Sequence, residues 1–280
     1  AKQKGKHLHN FYQEKLDSKG KREFMLCSGL NRETIFEELI LYYQPVIQIN
    51  TQTIICMDAL VHWQHPELGL IRSAELFNYA ERQRKLNTIS EWLLQNACKQ
   101  FLHWRSLGFS PALLGLPISI KQLENSHFIY RISHILQALE FKPEWLLLEI
   151  QGDPQQLEAS VLEKAFNMLL FMGVKMAIDH FGAGALPLQY LENFTIHYLK
   201  LDATLIKDIH LNSQAEALIK SLVFLTNELS MQLIVQGVES DQQRAILESL
   251  GCTLMQGHLL AEPLTEVEVV SKLVNTPATL

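Results

Sequence analysis

From about residue 33 onward, short apolar segments alternate with longer segments of helical periodicity, and no other feature narrows the fold as much. The apolar segments are LYYQPVIQI (41–49), TIICMDAL (53–60), LLGLPISI (113–120), WLLLEI (145–150), VKMAID (174–179), YLKLD (198–202), QLIVQ (232–236) and TLMQ (253–256). Each reads as a strand. Between them, for example over 89–107 and 213–229, apolar residues recur every three or four positions, as on the buried face of a helix. Strand and helix in alternation imply parallel pairing, because a parallel neighbour needs a long crossover. The first two strands are separated only by Asn50, Thr51 and Gln52, too few for a crossover, so they must form an antiparallel hairpin. The expected fold is α/β: a (β/α)8 barrel made irregular by an antiparallel first strand. With 280 residues the chain can bury the core of one such barrel. Residues 1–32 are polar and lysine-rich, with Gly5, Gly20 and Gly29 placed to break a long helix, and read as a connector ahead of a barrel domain over 33–280.

Composition narrows the function. A formal charge of -6 argues against capture of long nucleic acid but leaves room for a local pocket that takes a small anion. Cys27, Cys56, Cys98 and Cys252 are scattered without a CxxC pair, which indicates neither a disulfide framework nor a zinc ribbon and suits a reducing cytoplasm. No apolar run reaches the roughly 18 residues of a membrane span.

In barrels of this kind the site lies at the carboxyl ends of the strands, where the loops converge on one mouth. Asp58, Ser119, Glu149, Asp179, Lys200, Asp202, Gln236, Glu239 and Gln256 all end a strand or sit just past it. Any one of them could mark a strand turning polar as it leaves the core; so many acidic and amide groups on one rim suggest a site. Clustered carboxylates suit Mg2+ or Mn2+, and paired metals suit attack of water on a phosphodiester. His62 and His65 lack further ligands at metal spacing and read as packing or hydrogen-bonding residues, and Tyr42 and Tyr43 as barrel packing.

The segments YYQPVIQI (42–49), DALVHWQHPELGLI (58–71), LLLEI (146–150), IDHFGAG (178–184), YLKLD (198–202), VQGVES (235–240) and MQGHLLAEPL (255–264) resemble, in family order, the EAL domain family of bacterial signal transduction, which hydrolyses or senses cyclic di-GMP. The resemblance covers most of the chain and implies a TIM-like barrel of the EAL type. The opening AKQKGKHLHNFY is similar to the end of a GGDEF cyclase domain, which implies a GGDEF-like domain upstream and a composite GGDEF-EAL parent.

The resemblance also assigns roles, and several positions depart from it. Asp58 stands at the family's signature Glu, and Glu149, Asp179 and Asp202 match further metal ligands, so these four are the expected residual metal set. Pro117 replaces a ligand Asn, Gly152 the second Glu of L-E-[IL]-T-E, and His180 the second Asp of D-D-F-G. Lys200 keeps a catalytic position, whereas Gln236 replaces the Glu assigned to metal and water activation. An amide cannot take a proton from water, and losing a positioned base alone costs roughly 100 to 10,000-fold in rate. Gln44, Leu60, Asp179, Glu239, Gln256 and Pro263 match contacts to the dinucleotide, while His62 replaces a phosphate-binding Arg and AGALP (183–187) replaces a hydroxyl-rich loop. The substitutions argue against turnover more than against binding. Three readings follow: an inactive receptor or regulatory module for cyclic di-GMP, a protein-interaction module without ligand, and a weak Mg2+- or Mn2+-dependent phosphodiesterase. Family members also pair, which implies a homodimer.

Overall fold

The computed structural model describes residues 20–184 and 189–274. They fall into two compact units, one made of the chain up to Ile40 with Val61–Trp92, the other of Leu41–Leu60 with everything from Leu93 on.

The larger unit is the barrel. Its eight staves come from β1 (Leu39–Gln48), β2 (Thr53–His65), β4 (Leu113–Ser119), β5 (Leu146–Gln151), β6 (Lys175–Phe181), β7 (Tyr198–Leu201), β8 (Gln232–Val235) and β9 (Leu254–Met255). Around the barrel they follow the order β1-β9-β8-β7-β6-β5-β4-β2, and pairing of β1 with β2 closes the circuit. From β2 to β9 every pairing is parallel, whereas β1 runs antiparallel to β9, with Ile47 opposite Met255. All eight expected strands are therefore present, including the reversed first one. Two short strands were not expected. β3 (Gly69–Ile71) pairs with β2, and β10 (Leu264–Thr265) pairs with β1; both are antiparallel and lie outside the closed circuit. At two or three residues they are too short to show an alternation in sequence. The expected helices appear as Leu86–Ser106 and Ser213–Glu228.

Inside the barrel, one buried apolar residue from each stave meets in a single cluster: Val46, Cys56, Leu113, Leu147, Ala177, Tyr198, Ile234 and Leu254. Side chains alternate across a strand, so the residue two positions on faces the same way. Moving two residues toward the mouth from each member gives Asp58, Gly115, Glu149, Asp179, Lys200, Gln236 and Gln256. Because β1 runs in reverse, its residue at that level precedes Val46 and is Gln44. A polar layer thus lies directly above an apolar one.

In the smaller unit, residues 20–30 form one helix, so the expected break at Gly29 does not occur. Leu26 and Leu30 of this helix are buried. The buried Trp63 ring lies against Gly29, where a β-carbon would come within 2.6 Å of it. Gly29 therefore serves close packing. Trp63 Nε1 donates to Glu38 (2.7 Å), and Arg22 donates to both carboxylate oxygens of Glu75 at 3.0 and 3.1 Å. His65 is a turn residue: its Nδ1 accepts the amides of Glu67 and Leu68. The earlier part of the expected connector, 1–19, lies outside the described residues. No described helix is long and apolar enough to cross a membrane, and all four cysteines are free thiols.

Candidate functional site

Lys200 is the hub of the polar layer. It is 1% exposed and donates from Nζ to Asp58 Oδ2 and to Glu149 Oε1 (2.6 Å), both carboxylates being nearly as buried. Gln256 Nε2 adds a bond to Asp58 Oδ2 at 2.7 Å, and the Cys56 thiol donates to Asp58 Oδ1 at 3.3 Å. Gly115 makes this cluster feasible, because a β-carbon there would run into the Asp58 carboxylate and come within 2.6 Å of Glu149 Oε1.

The charges in this cluster fix one another. Burial alone would lower the Lys200 value, but the charges of Asp58, Glu149 and Asp179 outweigh it and hold the ammonium well above its usual range. Burial, followed by the neighbouring charge of Asp58, pushes the Glu149 carboxyl well up. For Asp58 burial works in the same upward direction, yet the Lys200 charge and the hydrogen bonds it receives hold it below the usual aspartate value. The outcome is a buried ammonium paired with the Asp58 carboxylate, with Glu149 inclined to keep its proton.

Asp179 is held separately. Its Oδ2 accepts from Gln151 Nε2 at 2.8 Å, and its Oδ1 accepts from Gln236 Nε2 at 3.0 Å and from the His180 amide at 2.9 Å. His180 sits where the β6–β7 register slips between Ile178 and Phe181, in a left-handed conformation (φ 54°) that non-glycine residues seldom adopt. Its imidazole Nδ1 lies 2.8 Å from Asp202 Oδ2, while Thr204 donates its amide and hydroxyl to Asp202 Oδ1. Burial opposes the Asp202 shift, but the Thr204 and His180 bonds prevail and hold its carboxyl below the ordinary range. A depressed carboxyl stabilises the fold above its unfolded value and loses that contribution as pH falls through the folded one. Asp202→Asn should accordingly flatten the loss of stability below about pH 4, read as the urea midpoint measured against pH.

The expected metal set is not assembled. Asp58 and Glu149 face Lys200, Asp179 faces two amides, and Asp202 faces His180 and Thr204; among the described residues no three His, Cys, Asp or Glu side chains converge to hold a cation. A divalent metal does not fit this arrangement. Pro117, at the ligand Asn position, is buried on β4 and offers no donor atom. Gly152 takes φ 106°, a backbone angle that would strain a Glu at this position.

The expected ligand contacts are placed as follows. Gln44 and Gln256 share the mouth, with Gln44 Nε2 donating to the Ala261 carbonyl at 3.2 Å and Gln256 Nε2 lying 3.5 Å from the Gln44 carbonyl. Leu60 and Pro263 are half-buried, and Glu239 is exposed, its amide held by Gln243 Oε1 at 2.8 Å. His62 is half-buried on the part of β2 that belongs to the smaller unit. Ala183 and Gly184 are exposed, and the remainder of the AGALP segment lies outside the described residues. Sequence reasoning passed over Gln151, Gly115 and Gln243. Gln151 was readable as the second step of two from Leu147 along β5; Gln243 had a signal in its capping position three residues after Ser240.

Comparison with known proteins agrees with this fold. The family model described as "EAL domain" matches residues 30–263. The bifunctional diguanylate cyclase/cyclic di-GMP phosphodiesterase MucR of Pseudomonas aeruginosa is 27% identical over 271 residues, 97% of this chain and 40% of that protein. The cyclic di-GMP phosphodiesterase PdeR of Escherichia coli is 29% identical over 246 residues, 86% of this chain and 36% of that protein. This chain therefore spans about two-fifths of the length of these relatives. Among solved structures, the PaMucR phosphodiesterase in complex with cyclic di-GMP superposes with a TM-score of 0.79 at 28% identity, covering 84% of this chain and 96% of that one. The Xanthomonas citri FimX EAL domain in complex with cyclic di-GMP gives a TM-score of 0.78 at 18% identity, a likeness in fold, and covers 94% of this chain and 100% of that one. A match over almost the whole barrel, on motifs that line one polar layer, carries a plain conclusion: the chain belongs to the EAL domain family.

Proposed function

We propose that this chain is a catalytically silent EAL domain that acts as a receptor or regulatory module for cyclic di-GMP in bacterial signalling. The observation that carries the reading is the state of Asp179, whose oxygens are filled by the chain's own donors, one of them the amide of Gln236. At that position hydrolysis would call for a carboxylate able to accept a proton from water. An amide has no such basicity, and the loss of a base alone is worth roughly 100 to 10,000-fold.

Binding makes smaller demands, because a pocket needs shape and hydrogen bonds more than it needs a base. Two relatives of the same fold are seen with cyclic di-GMP. Gln44, Leu60, Asp179, Glu239, Gln256 and Pro263 occupy the positions that would meet the dinucleotide, with His62 offering weaker phosphate recognition than an Arg would. Lys200 then serves to hold the layer together. The barrel domain begins near residue 33, follows a GGDEF-like domain in a longer parent and works in the cytoplasm, where free thiols persist. It forms a homodimer through the barrel.

A second reading, a protein-interaction module without ligand, is favoured by one feature: the amide groups of Gln44 and Gln256 are already engaged within the chain. Titration of the purified protein with cyclic di-GMP in Mg2+ or Mn2+, followed by chromatography of the same mixture, separates the outcomes. Saturable binding with no linear dinucleotide is expected. Metal-dependent product at a useful rate would sink the silent-site reading, and absence of binding would select the interaction module.

A further inference from the structure

Three polar groups around the acidic residues share one property: each is a hydrogen-bond donor aimed at a carboxylate. Gln236 and Gln151 donate to the two oxygens of Asp179 at 3.0 and 2.8 Å, and the His180 imidazole meets Asp202 at 2.8 Å. The Asp179 side chain is only 3% exposed, so a cation could reach it only by displacing an amide. Amide donors answer the negative charge of a carboxylate much as a cation does, and two of them from strands on either side of β6 also fix its orientation.

The geometry points to Gln151 and Gln236 as a built-in amide clamp that takes the place of divalent cations on Asp179 and makes recognition at this mouth independent of metal. Gln151 is the new element. It is a positioning residue, it comes from β5 while Gln236 follows β8, and by this account restoring Glu at position 236 leaves Asp179 closed. The inference rests on the silent-site reading above, and it predicts that a single substitution does not bring the cation back.

The probe is Mn2+ alone, without nucleotide. Free Mn2+ is followed by electron paramagnetic resonance and the protein by thermal unfolding. The wild type and Gln236→Glu should leave free Mn2+ and Tm unchanged. Gln151→Thr combined with Gln236→Glu should take up Mn2+ and gain about 2 °C or more in Tm. Gln151→Lys combined with Gln236→Glu keeps a donor on Asp179 and should stay blind to the metal, which a merely structural role for Gln151 does not predict. The proposal is overturned if the wild type takes up Mn2+ in a manner that Asp179→Asn abolishes, if Gln236→Glu alone binds as well as the Thr-containing pair, or if that pair folds and binds nothing. Should the pair fail to fold, the wild-type and Gln236→Glu titrations still decide. Dinucleotide product from a wild type that ignores Mn2+ would count against the silent site and leave the clamp standing; Mn2+ uptake without product would do the reverse.

Discussion

Lys200→Met is expected to lower folding stability by about 3–5 kcal/mol. The substitution keeps the length and removes the ammonium, leaving Asp58 and Glu149 side by side, each 4% exposed, with no counter-charge. Asp58 would have to take up a proton, as Glu149 already tends to do, or the pair would have to admit water. Urea denaturation at neutral pH measures the loss. The companion test is Lys200→Met with Asp58→Asn and Glu149→Gln, which removes the burden along with its remedy and should recover a large part of the stability. A loss below about 1 kcal/mol in the single variant would mean that the ion cluster is far better solvated than its burial implies.

Gly257→Ala should follow, with a loss of about 3 kcal/mol or more. The chain after β9 wraps closely around the backbone at Val238: the Val238 amide donates to the Gln256 carbonyl at 3.0 Å, and the Leu259 amide donates to the Val238 carbonyl at 3.1 Å. A β-carbon on Gly257 would overlap the Val238 amide nitrogen and carbonyl oxygen and come within 2.7 Å of its carbonyl carbon. These are main-chain atoms and cannot swing aside. The shift would also carry Gln256 away from Asp58, so the variant should weaken the polar layer along with the fold. A thermal midpoint within 1 or 2 °C of the wild type would contradict this account.

Much of this architecture was legible because a buried strand leaves a strong mark. Eight short apolar runs between helical stretches defined the staves, and a three-residue connection forced the first of them to run backward. The same alternation placed Asp58, Glu149, Asp179, Lys200 and Gln236 at one end. What it left unread is what those residues do to one another. Nothing in the letters near Asp58 or Glu149 shows that a single ammonium from β7 lies between them, since the contact spans residues far apart in the chain. Gln151 went unremarked because alternation along β5 tells only which way it faces, and its meaning depends on Asp179 lying on the adjacent stave. Gly29 misled for a related reason: glycine signals helix breaking in general, but here it makes room for an indole.

The stacking of a polar layer upon an apolar one has a consequence for how such a domain can change over generations. The lower ring, with one member per strand, specifies the closed barrel whatever lies above it. Each position in the upper ring belongs to a different strand and can be exchanged singly, provided that charge and volume are balanced by its neighbours around the ring. Gln236, His180 and Gln151 show the balance such an exchange requires, since each supplies a donor to a carboxylate on another strand or loop. An ancestor could therefore part with its chemistry one strand at a time and remain at every step a protein that folds.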